Sequence, residues 1–375
     1  MNVREYLGVV NMQRRSFLLS SAAAPLVLSA GSADSRTKIE FEIKRLKLRH
    51  TWTTVMSSSD YRDTFFVKLT RDGITGVGEG APIIRYKESA ETARKAFTEI
   101  LSELESANPR NYRSLLNEVT RRIEGEYAAK AALDIALLDW TGQSLGIPVH
   151  QLLGIDPNAA PVTTFSIGID DPAATRKKVE EADAFPVLKI KVGLGKDEAT
   201  IEAVRAVTNK PLRTDANEGY KTKEEAVERI NFLDKHGVEF IEQPLAAANL
   251  EDMNWIRKRV HMPIFADEAC LHLNDIAKIA PHFDGVNVKV DKAGGLLAAL
   301  RMIELARSLG LKVMIGCMVS SSVAVTAAAQ LSPLVDYADL DGNLLISNDP
   351  YEGVLVEKGK LMLPKRPGLG LKLRT

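Results

Sequence analysis

The 375-residue chain has only two cysteines, Cys270 and Cys317, which are too few for a disulfide-stabilised scaffold, and their spacing does not suit a zinc site. It also has no excess of charge, because 49 Lys and Arg residues balance 49 Asp and Glu residues. This balance gives no reason to expect a nucleic acid as partner. Since 45% of the residues are hydrophobic, the chain can build a large core. We therefore expect a small-molecule partner.

The amino terminus has a short apolar run, residues 17–30, which is too short to span a bilayer as a helix. Arg14 and Arg15 precede the run and small residues end it, a pattern typical of a twin-arginine export signal over residues 1–33. We expect a periplasmic protein that is free of the membrane once the signal is removed, or a cytoplasmic one if the signal is not functional. A disordered tail or a lipid-facing anchor is the alternative, and Met12 is an alternative start of translation.

Residues 37–158 contain strand patterns followed by helical patterns. IEFEIKRLKL and TFFVKLTRDG read as strands, and residues 50–63 between them show no sustained period and read as a polar loop. Helical periodicity starts near Glu88 and continues to Gly146. This region therefore predicts an α+β unit.

Beyond Pro161, short apolar runs alternate with helix-like segments. The residues at the ends of these runs recur at intervals of 22 to 27 residues: Lys189, Asp215, Glu242, Asp267, Lys289, Met314 and Asp339. Such a repeat indicates successive βα units, and eight strands of this kind close a parallel barrel. A doubly wound open sheet would also alternate, but the strand count and even spacing favour the barrel.

Acidic residues end three consecutive predicted strands, at Asp215, Glu242 and Asp267. The carboxyl ends of barrel strands meet at one face, so these carboxylates would converge and repel each other without a cation. Oxygen ligands alone suit a hard divalent ion such as Mg²⁺. Each acid by itself could be an ordinary helix cap. Their order along the strands favours a magnesium site.

Lysines end the strands on either side of these acids. Lys189 and Lys191 lie two positions apart in one strand, so their side chains point to the same face, and Lys289 ends the sixth strand. Burying ammonium groups is costly unless chemistry requires it. Lysines on opposite sides of a cation suggest proton transfer at a carbon next to a carboxylate, where positive charge stabilises the resulting enediolate. Such a reaction requires no redox cofactor.

The segments KIKVG, DAN, IEQP, ADE and NVKVDKAGG carry these residues and resemble the enolase superfamily, muconate-lactonizing subgroup, over essentially residues 37–370. The resemblance implies an α/β fold with a (β/α)7β barrel over residues 159–345. It further implies an α+β capping domain over residues 37–158, on which a C-terminal segment, residues 346–375, packs. Superfamily members commonly form oligomers, so a homo-oligomer is compatible with the resemblance.

The segment DYADLDG places Asp339 and Asp341 one residue apart, as in dipeptide epimerases, including alanine-glutamate epimerase. The resemblance implies that this pair holds the amino group of a dipeptide. It implies that the three acids bind Mg²⁺, which holds the carboxylate of the second residue. Lys191 and Lys289 would then exchange a proton at opposite faces of the α-carbon, with Lys189 supporting Lys191. The alternative, that either aspartate only caps the next turn, stays open.

Two positions depart from the family pattern. Ser320 follows GCMV, where the family more often has a glutamate. The arginine that alanine-glutamate epimerases use for the distal carboxylate corresponds here to Met56, Ser57 or Ser58, with Arg62 close by. We therefore do not expect glutamate as the preferred second residue.

Other members of the subgroup share the lysines and the three acids: a cycloisomerase, o-succinylbenzoate synthase or N-acylamino acid racemase. The pair Asp339 and Asp341 argues against them, because their substrates offer no ammonium group. A non-catalytic periplasmic binding protein is the alternative of another class, but it would gain nothing from buried lysines. The preferred side chains of the dipeptide and the oligomeric state stay open.

Overall fold

The computed structural model describes residues 36–375, so the predicted export signal at residues 1–33 lies outside the described residues. Within residues 36–375, none of the helices combines the length and the apolar composition needed to cross a membrane.

The N-terminal part of the described chain is an antiparallel sheet covered by helices. The three strands pair in the order β1 (Lys38–Thr53), β2 (Ser58–Arg71) and β3 (Ile74–Gly80). The helices that follow are α1 (Ala90–Glu99), α2 (Leu101–Ser106), α3 (Tyr112–Arg122), α4 (Tyr127–Leu145) and α5 (Val149–Leu152). Aromatic side chains fill the space between the sheet and α1, where Phe41, Phe65 and Phe97 make mutual ring contacts. This part is the expected α+β capping domain.

The prediction of a polar loop over residues 50–63 was wrong for most of that range. Strands β1 and β2 form one long hairpin, in which Trp52 pairs with Ser59 and Thr53 with Ser58. A shift of register between Lys47 and Trp52 interrupts the ladder. The strands are mostly exposed at this end, so their sequence lacks the alternation of polar and apolar residues that would reveal them. The connecting loop is only residues 54–57.

Helix α4 is buried on nearly all sides because it lies between the capping sheet and the barrel. It contacts β3 through glycines at alternate strand positions and alanines one turn apart: Gly76, Gly78, Gly80, Ala128, Ala132 and Ala136. A Cβ added at Gly78 would lie 1.8 Å from the carbonyl oxygen of Ala132. Only glycine therefore permits this approach of helix and strand.

The remaining chain forms a parallel eight-stranded barrel. Its strands, in neighbouring order, are β4 (Phe165–Ile167), β5 (Leu188–Lys191), β6 (Leu212–Asp215), β7 (Val238–Glu242), β8 (Ile264–Ala266), β9 (Gly285–Lys289), β10 (Lys312–Gly316) and β11 (Tyr337–Asp339). The connecting helices are α6 (Pro172–Glu181), α7 (Asp197–Arg205), α8 (Lys223–Lys235), α9 (Leu250–Arg257), α10 (Leu273–Ile279), α11 (Val290–Ala293), α12 (Leu296–Ser308) and α13 (Ser322–Ala329). A parallel bridge between Thr163 and Ala338 joins the first strand to the last. The predicted (β/α)7β barrel is confirmed.

The C-terminal residues return to the capping domain. They contain four short strands, β12 (Tyr351–Glu352), β13 (Leu355–Glu357), β14 (Lys360–Met362) and β15 (Lys372–Leu373). Ile346 bridges Leu48 of β1, and the Tyr351 ring stacks on Phe66 of β2. Leu369 N donates to the Asp139 carboxylate on α4. These contacts hold the capping domain against the barrel.

Candidate active site

The three acids predicted as metal ligands lie together at the carboxyl ends of neighbouring strands. Asp215 ends β6, Glu242 ends β7, and Asp267 directly follows β8. Each offers a carboxylate oxygen, and these oxygens lie within 4.8 Å of one another. All three side chains are almost completely buried. Because Asp215 pairs with Glu242 in the ladder, the strand ends are level and the carboxylates face the same point.

The predicted lysines surround this group of acids. Lys191 Nζ lies 2.6 Å from an oxygen of Asp215, and Lys289 Nζ lies 2.7 Å from an oxygen of Asp267. Each of these two lysines therefore contacts a different outer member of the triad. Burial alone would lower the pKa of Lys289, but Asp267 and Glu242 raise it well above its usual range.

Lys189 lies deeper than Lys191 and contacts three carboxylates. Its Nζ is 2.7 Å from Asp339, 2.7 Å from Glu242 and 3.2 Å from Asp215. Burial alone would lower the pKa of Lys189, but these three acids, Asp339 first, raise it well above its usual range. The ammonium group is therefore fixed between the triad and the last strand of the barrel.

The electrostatics of the triad fit a divalent cation. Burial, reinforced by Asp215, raises the pKa of Glu242 to about 7, although Lys189 opposes the shift. Burial would also raise the pKa of Asp267, but Lys289 and Lys292 hold it well below its usual range. Three buried carboxylates at this separation repel each other unless positive charge lies between them. An all-oxygen set of this kind suits Mg²⁺.

Asp339 and Asp341 lie at the end of the last strand, as predicted, although β11 itself ends at Asp339. Burial would raise the pKa of Asp339, but Lys189 lowers it to about 2. Burial and the neighbouring Asp339 raise the pKa of Asp341 to about 7. Asp341 accepts a hydrogen bond from Ser166 N at 2.6 Å. The two aspartates thus differ, since Asp339 is ion-paired and Asp341 contacts only neutral donors among the described residues.

Several charged groups of the site were not predicted from the sequence. Lys292 on α11 contacts the Asp267 carboxylate and donates to the Asp267 carbonyl oxygen at 2.7 Å. Glu268 follows Asp267, and Asn217 Nδ2 donates to it at 3.2 Å. Burial, with Asp267 close by, raises the pKa of Glu268 to about 8. The segments DAN, ADE and NVKVDKAGG contain these residues, but their positions do not coincide with the ends of the predicted strands.

A cavity of about 520 Å³ lies above the strand ends. Its floor includes the three predicted lysines with Asp267, Asp339 and Asp341. Its upper wall comes from the capping domain, from most of the residues between 56 and 64 and between 81 and 91. Both the hairpin of β1 and β2 and the segment after β3 therefore cover the strand ends.

Ser320, the position where the family more often has a glutamate, is buried and does not line the cavity. Its hydroxyl donates to the Met318 carbonyl oxygen at 3.1 Å. The residues after Ser320 do contact a carboxylate, that of Glu79 on β3 of the capping domain. Glu79 accepts hydrogen bonds from Ser321 N at 3.0 Å and Ala324 N at 3.2 Å. Glu79 therefore holds the first turn of α13 against the capping domain.

Comparisons with known proteins agree with this architecture. The family model described as "Mandelate racemase / muconate lactonizing enzyme, N-terminal domain" matches residues 39–154. The model described as "Enolase C-terminal domain-like" matches residues 173–375.

Curated relatives and solved structures cover most of the chain. It is 44% identical to an L-Ala-D/L-amino acid epimerase of Pedosphaera parvula, over 90% of this chain and 99% of the relative. It is 39% identical to an L-Ala-D/L-Glu epimerase of Bacteroides thetaiotaomicron, over 90% of this chain and 88% of the relative. The crystal structure of a dipeptide epimerase from Enterococcus faecalis, complexed with Mg and L-Leu-L-Tyr, matches with a TM-score of 0.83 and 32% identity, over 90% of this chain and 99% of that chain. The barrel, its acid triad and these similarities together show that the chain belongs to the mandelate racemase and muconate lactonizing enzyme family of the enolase superfamily.

Proposed function

We propose that this protein is a Mg²⁺-dependent dipeptide epimerase that inverts the α-carbon of the second residue by proton transfer between two lysines. The observation that carries the proposal is the position of Lys191 on β5 and Lys289 on β9. In the strand order of the eight-stranded barrel these strands are four steps apart, which is half the circumference. Their side chains therefore approach the barrel axis from opposite sides. Two bases on opposite faces of one carbon are what inversion requires.

The contacts of the two lysines support their roles as bases on opposite faces of the α-carbon. Lys191 forms an ion pair with Asp215 and Lys289 forms one with Asp267, so each lysine contacts one of the two outer acids of the triad. One lysine removes the α-proton, and the other returns a proton to the opposite face. Asp215, Glu242 and Asp267 would hold Mg²⁺, whose positive charge would stabilise the substrate carboxylate as the α-proton leaves.

The remaining acids orient the dipeptide. Asp341 lines the cavity and has no cationic partner among the described residues, so it is the carboxylate best suited to accept the substrate's ammonium group. Lys189 holds Asp339 and Glu242 together and so keeps the amine-binding side of the site next to the metal-binding side. Lys189 is thus a positioning residue in this proposal.

The experiment is deuterium exchange in D₂O with Mg²⁺ and a library of L,L-dipeptides, followed by mass spectrometry. We expect the wild-type protein to introduce one deuterium at the second residue and to form the epimer. Lys191→Ala and Lys289→Ala should each lower epimerisation by about 10²- to 10⁴-fold, because each removes one acid or base. Exchange from a single face can survive in one of the two variants.

Lys312→Ala is the matched control, because Lys312 begins β10 at the opposite end of the barrel. It should epimerise at the wild-type rate. The proposal is wrong if wild-type protein exchanges no L,L-dipeptide, or if both active-site lysine variants retain full turnover. Exchange of N-acylamino acids without exchange of dipeptides would instead indicate the racemase alternative.

A further inference from the structure

Each acid of the triad has one carboxylate oxygen that a donor of the protein already occupies. In two of the acids this donor is neutral: Asp215 Oδ1 accepts a hydrogen bond from Asn217 N at 2.9 Å, and Glu242 Oε1 accepts one from Asn287 Nδ2 at 2.7 Å. Asn287 is completely buried, and its Oδ1 has no hydrogen-bond partner within residues 36–375. Burying an amide oxygen without a partner is costly. The side chain of Asn287 is therefore kept for what its Nδ2 does to Glu242.

The donor on the third acid is a charged one. Lys292, on α11, forms an ion pair with Asp267 Oδ1. Its Nζ also lies 2.7 Å from the carbonyl oxygen of Asp267, 3.1 Å from that of Cys270 and 3.2 Å from that of Asn287. All three hydrogens of the ammonium group thus have acceptors, and Lys292 does not line the cavity. Its charge acts on Asp267 and not on a substrate.

The second oxygens of the three acids face the lysines that line the cavity. These contacts are Lys191 with Asp215 Oδ2 at 2.6 Å, Lys189 with Glu242 Oε2 at 2.7 Å and Lys289 with Asp267 Oδ2 at 2.7 Å. We call these three atoms the inner oxygens and the donor-bound ones, Asp215 Oδ1, Glu242 Oε1 and Asp267 Oδ1, the outer oxygens. Because the outer oxygens are occupied, each acid can offer a cation one ligand atom.

We propose that Asn287 and Lys292 make the site select Mg²⁺ over Ca²⁺, because each keeps one outer oxygen away from the cation. The inference rests on the Mg²⁺ dependence of the proposed function. Ca²⁺ takes more oxygen ligands than Mg²⁺ and often binds both oxygens of a carboxylate, whereas Mg²⁺ requires a near-octahedral set at shorter distances. Acids that give one oxygen each suit the smaller ion. Asn287 and Lys292 are thus positioning residues that act through Glu242 and Asp267.

The test measures the binding of two cations to the same protein. Isothermal titration calorimetry with MgCl₂ and with CaCl₂ gives two dissociation constants, and the constant for Ca²⁺ divided by that for Mg²⁺ is the selectivity. We expect the wild-type protein to prefer Mg²⁺. Asn287→Ala and Lys292→Met each release one outer oxygen, and the loss of such a partner weakens metal binding by about 10- to 100-fold. Ca²⁺ can use the released oxygen, so the selectivity should fall by about 10-fold in each variant.

Lys191→Met is the matched control. It removes the same charge as Lys292→Met, but from an inner oxygen, that of Asp215. It should therefore change both dissociation constants together and keep the wild-type selectivity. The selectivity is a ratio measured within one variant, so a loss of folded protein does not alter it. A merely structural role of Asn287 or Lys292 would lower stability and leave this ratio unchanged.

The inference is overturned if the wild-type protein binds Ca²⁺ as tightly as Mg²⁺, or if Asn287→Ala and Lys292→Met keep the wild-type selectivity. If one of the two variants does not fold, the other decides alone. Either result leaves the epimerase function standing, because deuterium exchange with Mg²⁺ does not require discrimination against Ca²⁺. Absence of Mg²⁺ binding to the wild-type protein would remove both proposals together.

Discussion

Asp134 connects the capping domain to the barrel, and its ionisation should make stability depend on pH. It lies on α4, and its carboxylate accepts a hydrogen bond from Leu296 N, at the start of α12, at 2.8 Å. A Cβ at Gly295 would lie 2.5 Å from its carboxyl carbon, so the group is enclosed. Burial raises the pKa of Asp134 from 3.8 to about 7, although the backbone donors oppose the shift. Asp134→Asn keeps the size and the carbonyl acceptor but removes the ionisation.

Between these two pKa values the folded protein keeps a proton that the unfolded chain has released, so the free energy of unfolding falls as pH rises. About 3 pH units at about 1.4 kcal/mol per unit give a decrease of about 4 kcal/mol, complete near pH 7. The free energy of unfolding of Asp134→Asn should not show this decrease between about pH 4 and about pH 7. Urea denaturation at a series of values from about pH 4 to about pH 8 measures the difference between variant and wild type. Asp234→Asn, at an exposed position of α8, is the control. A difference in the free energy of unfolding between Asp134→Asn and wild type that stays constant over the series would refute the reasoning.

Two further predictions concern the metal and the export signal. Removing Mg²⁺ with a chelator, or replacing Asp215 with Asn, should lower epimerisation by at least about 100-fold, because the positive charge that stabilises the deprotonated substrate is lost. Mg²⁺ should raise the melting temperature of the wild-type protein more than that of Asp215→Asn. Full activity in the presence of the chelator would contradict the metal assignment. Replacing Arg14 and Arg15 with Lys should abolish periplasmic accumulation of the full-length protein in cell fractionation, while an unchanged periplasmic yield would argue against the twin-arginine route.

The positions of the triad and of the main lysines could be predicted because a parallel barrel brings all strand ends to one face. Asp215, Glu242 and Asp267 each end or follow a short apolar run, so sequence spacing alone assigned them to neighbouring strands. Lys292 could not be found this way, since it lies one turn into α11, after the strand has ended. Its ion pair with Asp267 joins α11, which follows β9, to the residue that follows the neighbouring strand β8.

Other features depend on pairing between distant segments. Glu79 and Ser321 are 242 residues apart in the chain, and nothing in either local sequence indicates their hydrogen bond. Likewise, the sequence shows that Arg62 and Asp63 are adjacent, but only the folded structure shows that Asp63 is bound to Arg45 across the hairpin. A charge is identified as unpaired only when all possible partners have been located.

The charge balance of the site connects the metal and the dipeptide. Six carboxylates lie at the strand ends: Asp215, Glu242, Asp267, Glu268, Asp339 and Asp341. Four ammonium groups lie among them: Lys189, Lys191, Lys289 and Lys292. When all are ionised, six negative and four positive charges leave two negative charges, which one Mg²⁺ balances. A zwitterionic dipeptide then adds no net charge to the buried cavity, so the site with one Mg²⁺ and one neutral dipeptide carries balanced charges.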